Sequence, residues 1–321
     1  MEKGTILEVK NLKVYYKTIA GDAKVVDDVT FSVYHGEIFG IAGESGCGKS
    51  TLVEGVYRIV KPPGYIAGGE VLFEGVDLLK LSEEEMRDIR WKKMAYIPQG
   101  AMSSLNPVLR VEEQMIDAIL DHSNISKEEA LEIAKKSLSE LGLPEVVLRM
   151  YPHELSGGMK QRVIIATAYA LRPDLIIADE PVTALDVVST REVLQTLREL
   201  RDKYGATVML VAHDMAVHAE IDDRLAVMYA GKVIEIGSVT DIFYDPLHPY
   251  TKGLIDSIPS IAKKKLIRGI PGIAPSPLNW PSGCRFHPRC PYARDICKAE
   301  EPELKEVKPD HLVACHLYGG D

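Results

Sequence analysis

The stretch GESGCGKST, from Gly43 to Thr51, restricts the possible folds of this chain more than any other. It fits the pattern G-x-x-x-x-G-K-S/T, follows a short apolar run at 37–42 and precedes a segment that can form a helix. Strand, loop and helix in that order are the setting in which such a loop binds phosphate. Its glycines let the backbone curl so that N–H groups face a polyphosphate, and the positive end of the following helix points to the same place.

Individual residues of this phosphate loop have separate expected roles. The Lys49 ammonium can reach the terminal phosphates of a nucleotide, and the Ser50 hydroxyl can coordinate Mg²⁺. Cys47 is interpreted as a small side chain that fills the loop. We expect the nucleotide to be bound by the whole stretch, namely Gly43, Glu44, Ser45, Gly46, Cys47, Gly48, Lys49, Ser50 and Thr51.

The stretch LIIADE supplies the acids that a phosphate loop needs from elsewhere in the chain. Asp179 ends a buried apolar strand predicted at 175–179, and Glu180 follows it. We expect Asp179 to hold Mg²⁺, directly or through water. We expect Glu180 to act as the general base that polarises the attacking water.

Strands and helices alternate along the first part of the chain, which predicts an α/β fold with a mainly parallel sheet. Residues 109–141 have apolar positions at helical spacing and are followed by a glycine stop at Gly142. Residues 224–237 are typical of a hairpin that turns at Ala230 and Gly231.

Composition and charge narrow the class of protein. The chain of 321 residues has room for about two domains, and eight of its 19 prolines lie between Pro271 and Pro309, which predicts a loop-rich C-terminal segment. A net charge of −9 argues against nucleic-acid binding through bulk positive charge. The N-terminal stretch lacks a signal-peptide core, and no stretch reaches 18 apolar residues, so we expect a cytosolic or peripherally attached protein.

The stretch LSGGMKQR, from Leu155 to Arg162, resembles the signature sequence of ATP-binding-cassette (ABC) ATPases. The residues alone predict only a Ser-Gly-Gly turn that opens an anion-binding helix. The resemblance implies a P-loop NTPase cassette with a RecA-like mixed sheet and a helical signature subdomain at about 100–160. It also implies two cassettes that pack head to tail, so that the signature of one covers the phosphate bound by the other. The signature residues that would act in trans are Leu155, Ser156, Gly157, Gly158, Met159 and Gln161.

Other short stretches are similar to further elements of the same family. Gln99 in YIPQG matches the Q-loop, Asp186 in TALD matches the D-loop at the dimer interface, and His213 in LVAHD matches the switch histidine. Tyr16 matches the aromatic residue that stacks on adenine, with Tyr15 as the alternative. The resemblance implies that ATP is bound with Mg²⁺. The implied Mg²⁺ ligands are Ser50, Gln99 and Asp179, and the implied catalytic residues are Glu180, His213 and Gln99.

Several stretches resemble the oligopeptide, dipeptide and nickel importer subgroup, among them SSLNPVLRV, IIADEPVTALDV and DIFYDPLHPYTKGLI. This implies a cassette at 1–240, a subgroup-specific C-terminal domain at 241–321 and an ATPase that powers peptide import. Oligosaccharide or nickel import is the alternative, and a non-transport ABC ATPase is a weaker one. The stretch QGAMSSLNP departs from the usual pattern and leaves the detail of the Q-loop open. Pro249 and Tyr250 are interpreted as a turn that packs an aromatic ring.

The same resemblance implies the partners and the location. They are a second, related ABC ATPase subunit, two membrane permease subunits and an extracytoplasmic solute-binding protein, with no nucleic acid. The chain would lie at the cytoplasmic face of the membrane as a peripheral subunit.

Four of the five cysteines lie within the C-terminal segment, at Cys284, Cys290, Cys297 and Cys315. Disulfides are disfavoured in a cytosolic chain, and the spacing lacks the C-x2–4-C pairs of structural zinc and the common ferredoxin runs. A segment with so little core can be stabilised by a bound metal. The stretch GCRFHPRCPYARDIC resembles the tail of peptide-importer subunits with a four-iron, four-sulfur (4Fe–4S) cluster. Zinc is the runner-up, free thiols or disulfides remain open, and His287 and His316 are interpreted as surface or supporting residues.

Overall fold

The computed structural model describes residues 4–258 and 269–318. The chain folds into two compact units, and the following ranges apply to their described parts. The first unit comprises Met1–Gly4, Tyr34–Ile38 and Lys80–Val211, and the second comprises Thr5–Val33, Phe39–Leu79 and Ala212–Asp321.

The strands are numbered in chain order. They are β1 Thr5–Thr18, β2 Gly21–Tyr34, β3 Ile38–Ala42, β4 Gly64–Phe73, β5 Val76–Asp77, β6 Met94–Ile97, β7 Leu175–Asp179, β8 Thr207–Val211, β9 Arg224–Tyr229, β10 Lys232–Ser238, β11 Lys305–Lys308 and β12 His311–Val313.

The α-helices are numbered in the same way. They are α1 Lys49–Tyr57, α2 Glu83–Ile89, α3 Val111–His122, α4 Lys127–Glu140, α5 Gly157–Tyr169, α6 Val187–Tyr204, α7 Met215–Ile221, α8 Val239–Tyr244, α9 Pro249–Asp256 and α10 Asp295–Ala299. Among the residues described, none of these helices combines the length and the apolar character needed to cross a bilayer.

The first unit has a parallel sheet and a largely helical segment. Its strands pair in the order β6-β7-β8, with Leu175 opposite both Met94 and Thr207. Strands β7 and β8 are fully buried, as expected for parallel strands whose sequences are continuous apolar runs. The buried strand predicted at 175–179 is therefore confirmed.

The helical pattern predicted at 109–141 forms two helices, α3 and α4, rather than one. The break falls at 123–126, where Ser126 accepts the Glu129 backbone N–H and the Glu129 carboxylate accepts the Ser126 backbone N–H. This capping box satisfies N–H groups that a helix start leaves without partners, so it favours a new helix at Lys127. The glycine stop is confirmed, because Gly142 follows α4 with a φ of 69°.

The second unit contains mixed and antiparallel pairings. Strands β3 and β9 are parallel, whereas β9, β10, β12 and β11 pair antiparallel in that order. A separate four-stranded sheet has the order β2-β1-β4-β5. The prediction of an α/β fold is confirmed, with mixed rather than mainly parallel sheets in this unit. The predicted hairpin is also confirmed, because Ala230 and Gly231 both have positive φ, which a type I′ turn requires.

The core of the second unit joins residues from distant parts of the chain. Tyr229 at the end of β9, Tyr250 on α9 and Phe286 in the proline-rich segment form one buried aromatic cluster. Their ring centroids lie 4.7–5.5 Å apart. Such aromatic pairs add about 0.5–1.5 kcal/mol each beyond the burial of their area. The segment from Pro271 to Pro309 is otherwise loop-rich, as predicted, with α10 as its short α-helix.

Candidate functional site

The phosphate loop has the curled backbone that its glycines predict. Gly43, Gly46 and Gly48 have φ values of 149°, 82° and 107°, a region that residues with a Cβ rarely adopt. A Cβ on Gly43 would lie 2.3 Å from the Met228 carbonyl oxygen. A Cβ on Gly48 would lie 2.6 Å from the Val25 carbonyl oxygen. The loop is therefore both bent and closely packed against its neighbours.

Lys49 is buried inside the curve of this loop. Its ammonium donates to the carbonyl oxygens of Gly43, at 2.8 Å, and of Glu44, at 3.2 Å. These carbonyls belong to the loop itself, so the ammonium is held at the place where the terminal phosphates of a nucleotide are expected. The burial of Cys47 beside Lys49 agrees with its interpretation as a filler, and burial raises the pKa of its thiol.

Helix α1 begins at Lys49 without a side-chain cap. Gly48 is its N-cap, and the first turn contains no acidic residue. The partial positive charge of the helix N-terminus is therefore not countered by a neighbouring carboxylate in that turn, which favours an anion there.

The two candidate aromatic residues have different neighbours. The Tyr16 hydroxyl lies 3.4 Å from Thr51 Oγ1, at the first turn of α1. The Tyr15 hydroxyl donates to Asp27 Oδ1 at 2.6 Å, and burial together with this carboxylate raises the pKa of Tyr15. Tyr16 is thus the tyrosine in contact with the phosphate-loop helix.

The two predicted acids are buried at the end of β7 in the first unit. The Tyr96 hydroxyl donates to Asp179 Oδ2 at 3.4 Å, and the Thr183 hydroxyl donates to Glu180 Oε2 at 2.9 Å. The Glu180 backbone N–H donates to the Val211 carbonyl oxygen at 2.9 Å. Glu180 also has a φ of 51°, a strained conformation of the kind that clusters at functional sites.

The signature stretch begins helix α5. Ser156 is the N-cap and accepts the Met159 backbone N–H at 3.2 Å. A Cβ on Gly158 would lie 2.9 Å from the Ser189 Cβ of α6, so glycine allows the two helices to pack closely. Gly157 is exposed at the start of the helix, whereas Leu155, two residues earlier in the chain, is buried. Met159 is half-buried and Gln161 is buried.

The remaining predicted residues lie at the ends of elements. Asp186 is the N-cap of α6, and hydrogen bonds from the Ser189 N–H and hydroxyl, together with the Val188 N–H, lower the pKa of its carboxyl. Gln99 is exposed after β6, and His213 is exposed before α7. The structure divides the predicted set between the units. The second unit contains Tyr16, residues 43–51 and His213. The first unit contains Gln99, residues 155–161, Asp179, Glu180 and Asp186.

Two residues that contact the phosphate loop were not predicted to do so. Tyr250 accepts the Glu44 backbone N–H at 2.9 Å, and Arg289 forms two hydrogen bonds with the Glu44 carboxylate. The interpretation of Pro249 and Tyr250 as a turn is wrong, because they begin helix α9, although the packing of the aromatic ring is confirmed. The stretch HPYT, from His248 to Thr251, contains Tyr250 and was recognised as part of the resemblance, but nothing in its sequence identified Glu44 as its partner.

The four tail cysteines are free thiols in the structure. Burial raises the pKa of the Cys284 thiol to about 11, and Cys315, Cys297 and Cys290 raise it further. Burial also raises the pKa of the Cys290 and Cys315 thiols, and backbone N–H groups two residues later counter part of this increase at Cys284, Cys290 and Cys315. The Cys297 sulfur accepts the Arg294 N–H at 3.5 Å.

No metal site is confirmed by this arrangement. Within 4–258 and 269–318, no group of three or more His, Cys, Asp or Glu side chains is arranged to hold a metal ion. Zinc and a 4Fe–4S cluster both require their ligands to surround one centre, so this result supports neither the expected cluster nor the zinc alternative. His287 and His316 contact backbone carbonyl oxygens, of Cys284 and Glu300 respectively.

A curled glycine loop between a strand and a helix, with a buried lysine, defines a P-loop nucleotide-binding protein. The family model described as ABC transporter matches residues 26–183. The model described as oligopeptide/dipeptide transporter, C-terminal region, matches residues 234–297.

Sequence similarity to known proteins extends over nearly the whole chain. The dipeptide transport ATP-binding protein DppD of Caldanaerobacter subterraneus subsp. tengcongensis is 45% identical over 98% of this chain and 97% of its own length. The oligopeptide transport ATP-binding protein OppD of Bacillus subtilis is 42% identical, over 98% of this chain and 90% of its own. The dimeric structure of the bacterial ABC transporter cassette MJ0796 superposes with a TM-score of 0.64 and 30% identity, covering 73% of this chain and 98% of that one. A second structure of that cassette, in a post-hydrolysis state with ADP and Pi, matches equally.

The chain belongs to the family of ABC transporter ATPases, and within it to the ATP-binding subunits of oligopeptide and dipeptide transporters.

Proposed function

We propose that this chain hydrolyses ATP to power the import of dipeptides and oligopeptides through separate membrane subunits. The observation that carries the proposal is the match of the C-terminal region, at 234–297, to the oligopeptide/dipeptide type. Relatives named for dipeptide and oligopeptide transport, aligned over nearly the full length, support the same cargo class. Import of an oligosaccharide or nickel remains the alternative.

The proposed roles of the site residues follow from their chemistry. The loop 43–51 binds the phosphates of ATP, and Lys49 exchanges its bonds to loop carbonyls for bonds to the terminal phosphates. Tyr16 stacks on adenine. Glu180, oriented by the Thr183 hydroxyl, takes a proton from the attacking water, with Gln99 and His213 as neighbours of the reacting phosphate.

Mg²⁺ fits the oxygen donors assigned to it. Asp179 offers a carboxylate, Ser50 a hydroxyl and Gln99 an amide oxygen, all of which are ligands that Mg²⁺ prefers. When bound, the ion would neutralise charge that develops on the phosphate oxygens.

We also propose that the functional unit is a dimer of cassettes, with a related ABC ATPase as the second subunit. Ser156 and Gly157 are exposed at the start of α5, where they can approach a phosphate bound by the partner. Val187 and Val188, beside Asp186, are exposed apolar residues that an interface would cover. The dimeric form of the similar cassette MJ0796 supports this arrangement. The complete transporter would add two permease subunits and an extracytoplasmic binding protein, with this chain at the cytoplasmic face of the membrane.

The proposal is tested with the chain alone and in the complex. The purified chain is expected to bind ATP, and Lys49→Ala is expected to lose that affinity while remaining folded; unchanged ATP binding in the variant would contradict the loop assignment. When the parent is reassembled in vesicles with the second ATPase subunit, the permease subunits and the binding protein, the vesicles should take up labelled peptide only with ATP. Uptake of nickel or an oligosaccharide instead of peptide would assign the alternative cargo.

We further propose that Cys284, Cys290, Cys297 and Cys315 hold a 4Fe–4S cluster. The chemistry of the donor set fits it, because cysteine thiolates are the usual ligands of such clusters and all four residues are free thiols. Backbone N–H groups also act on these four sulfurs. Such N–H bonds are among the groups that tune thiolate ligands of clusters. When bound, the cluster would tie together a segment that has little core of its own.

The cluster is tested on protein purified without oxygen. The parent is expected to show the broad visible absorbance of a brown iron–sulfur protein, with about four iron atoms per chain. Cys297→Ser should lose it, whereas Cys47→Ser should keep it, because Cys47 lies in the phosphate loop. Colourless protein with one zinc per chain, or with no metal, would overturn the assignment.

A further inference from the structure

The second residue of the phosphate loop is bound by the proline-rich tail. Arg289 Nη1 lies 2.8 Å from Glu44 Oε2, and Arg289 Nη2 lies 2.9 Å from Glu44 Oε1. The side chains are 6% and 28% exposed. Two parallel bonds between a guanidinium and a carboxylate define the direction of both groups, and a pair this shielded from water is stronger than one at the surface.

The Arg289 side chain is held in position by contacts within the tail and with the aromatic cluster. Its Nε donates to the Pro271 carbonyl oxygen at 2.8 Å, and its guanidinium lies 5.6 Å from the Tyr229 ring centroid and 6.0 Å from that of Phe286. The Glu44 carboxylate raises the pKa of Arg289. The guanidinium is thus held from its tail side by a carbonyl and two rings.

Tyr250 holds the backbone of the same loop residue. Its hydroxyl accepts the Glu44 N–H at 2.9 Å, and its fully buried ring packs on Tyr229 and Phe286. The side chain and the backbone N–H of Glu44 are therefore bound by two residues that lie more than 200 positions further along the chain. Tyr250 belongs to the aromatic cluster of the second unit, and Arg289 contacts that cluster.

Glu44 in turn is connected to the residues expected to contact phosphate. Its carbonyl oxygen accepts the Lys49 ammonium at 3.2 Å and the Cys47 N–H at 3.2 Å. A shift of Glu44 would change the acceptor that holds Lys49 and the first turn of the loop. The geometry of the loop therefore depends on contacts made outside it.

We propose that Arg289 is a positioning residue of the nucleotide site, acting with Tyr250 to fix Glu44 so that the phosphate loop is formed before nucleotide binds. This rests on the proposed function of the loop. A loop that is ordered in advance loses less conformational entropy on binding, and it presents its N–H groups and Lys49 in the binding geometry. The affinity for the phosphate part of the nucleotide thereby depends on the folded tail.

The test compares two buried arginines of the same tail segment. Both Arg289 and Arg285 are buried and paired with a carboxylate, but Arg285 contacts Asp27 and the Ala230 carbonyl oxygen rather than the loop 43–51. Arg289→Met is expected to weaken ATP and ADP binding about 10- to 100-fold in calorimetric titrations of the full chain. Arg285→Met, with thermal unfolding measured alongside, is expected to lose stability but to keep ATP affinity within about twofold of the parent.

Two further variants separate positioning from a general loss of structure. Arg289→Lys keeps the charge and loses the paired hydrogen bonds, so it should remain folded and bind ATP with an intermediate affinity. Glu44→Gln combined with Arg289→Met should bind ATP no more weakly than the worse single variant, because both changes remove the same contact.

Several results would overturn the inference. They are parent-like ATP affinity in folded Arg289→Met or Arg289→Lys, equal losses in the Arg285 and Arg289 variants, or strictly multiplicative losses in the double variant. A parent chain that does not bind ATP would instead overturn the proposed function, so the two failures are distinguishable.

Discussion

Glu180 combines a reactive side chain with a strained backbone. Its φ of 51° lies in the left-handed region, which costs a residue other than glycine on the order of 1 kcal/mol or more. The cost is offset by the bond from its N–H to Val211 and by the Thr183 hydroxyl on its carboxylate. Other residues, such as Asn11 and Asp310, have a positive φ as well, so the proposed role of Glu180 as the base rests on its carboxylate and its position directly after β7.

Glu180→Gln is expected to bind ATP but to hydrolyse it at least about 100-fold more slowly, because an amide cannot take a proton from water. The amide oxygen can still accept the Thr183 hydroxyl, so the local structure should be kept. Nucleotide binding is measured by titration and turnover by phosphate release.

Hydrolysis at the parent rate would show that another group is the base. Loss of ATP binding together with turnover would indicate a structural role instead, and parent-like thermal unfolding is the control for folding.

The choice between Tyr15 and Tyr16 illustrates what a residue pattern leaves open. Neighbouring side chains of a strand point to opposite faces, and both positions carry the same aromatic group. Only the pairing of β1 with its neighbours decides that Tyr16 faces Thr51 and that Tyr15 faces Asp27.

At the scale of elements, helix α9 begins on a buried histidine. The His248 Nδ1 accepts the Tyr250 N–H at 3.0 Å, which makes His248 the N-cap. The Glu235 carboxylate accepts the backbone N–H groups of Leu247 and His248 and contacts His311. Complete burial lowers the pKa of His248 from 6.5 to about 4, in spite of the nearby Glu235 and with a smaller contribution from Lys252.

This burial predicts a pH dependence of stability. Below pH 6.5 the unfolded chain takes up a proton on His248 that the folded chain takes up only near pH 4, so the free energy of unfolding falls between these values by up to about 3 kcal/mol. His248→Asn retains an N-cap acceptor without this proton. We expect the variant to be less stable at neutral pH but to lose less stability on acidification, as measured by urea unfolding at a series of pH values.

Parallel pH profiles for parent and variant would contradict this prediction. Comparing slopes rather than absolute stabilities removes the contribution of the many carboxylates that titrate in both proteins.

Some elements could be predicted because their signals are local. The strand, loop and helix around 43–51 and the turn at Ala230 and Gly231 depend on backbone conformations that glycine makes accessible. The break between α3 and α4 was missed although its signal is also local, because the pattern Ser126-x-x-Glu129 is a capping box that can be recognised in the sequence.

At the scale of the whole molecule, the proline-rich tail contributes to a core it does not build alone. Phe286 packs with Tyr229 and Tyr250, and the tail strand β12 pairs with β10. Arg285 and Arg289 extend this connection to Asp27 and to the phosphate loop. Composition predicted a segment poor in regular structure, but proline content carries no information about which residues it contacts.

The sequence by itself determined the phosphate loop, the acids at the end of β7 and the family, because these depend on residue types at short, fixed spacings. Only the tertiary structure decided that Arg289 and Tyr250 hold Glu44. Those partners are separated by 245 and 206 positions, and their meeting depends on how the aromatic cluster packs rather than on any local preference of the chain. For the same physical reason, the stretch HPYT could be recognised from the sequence, whereas the contact of its Tyr250 with Glu44 could not be predicted.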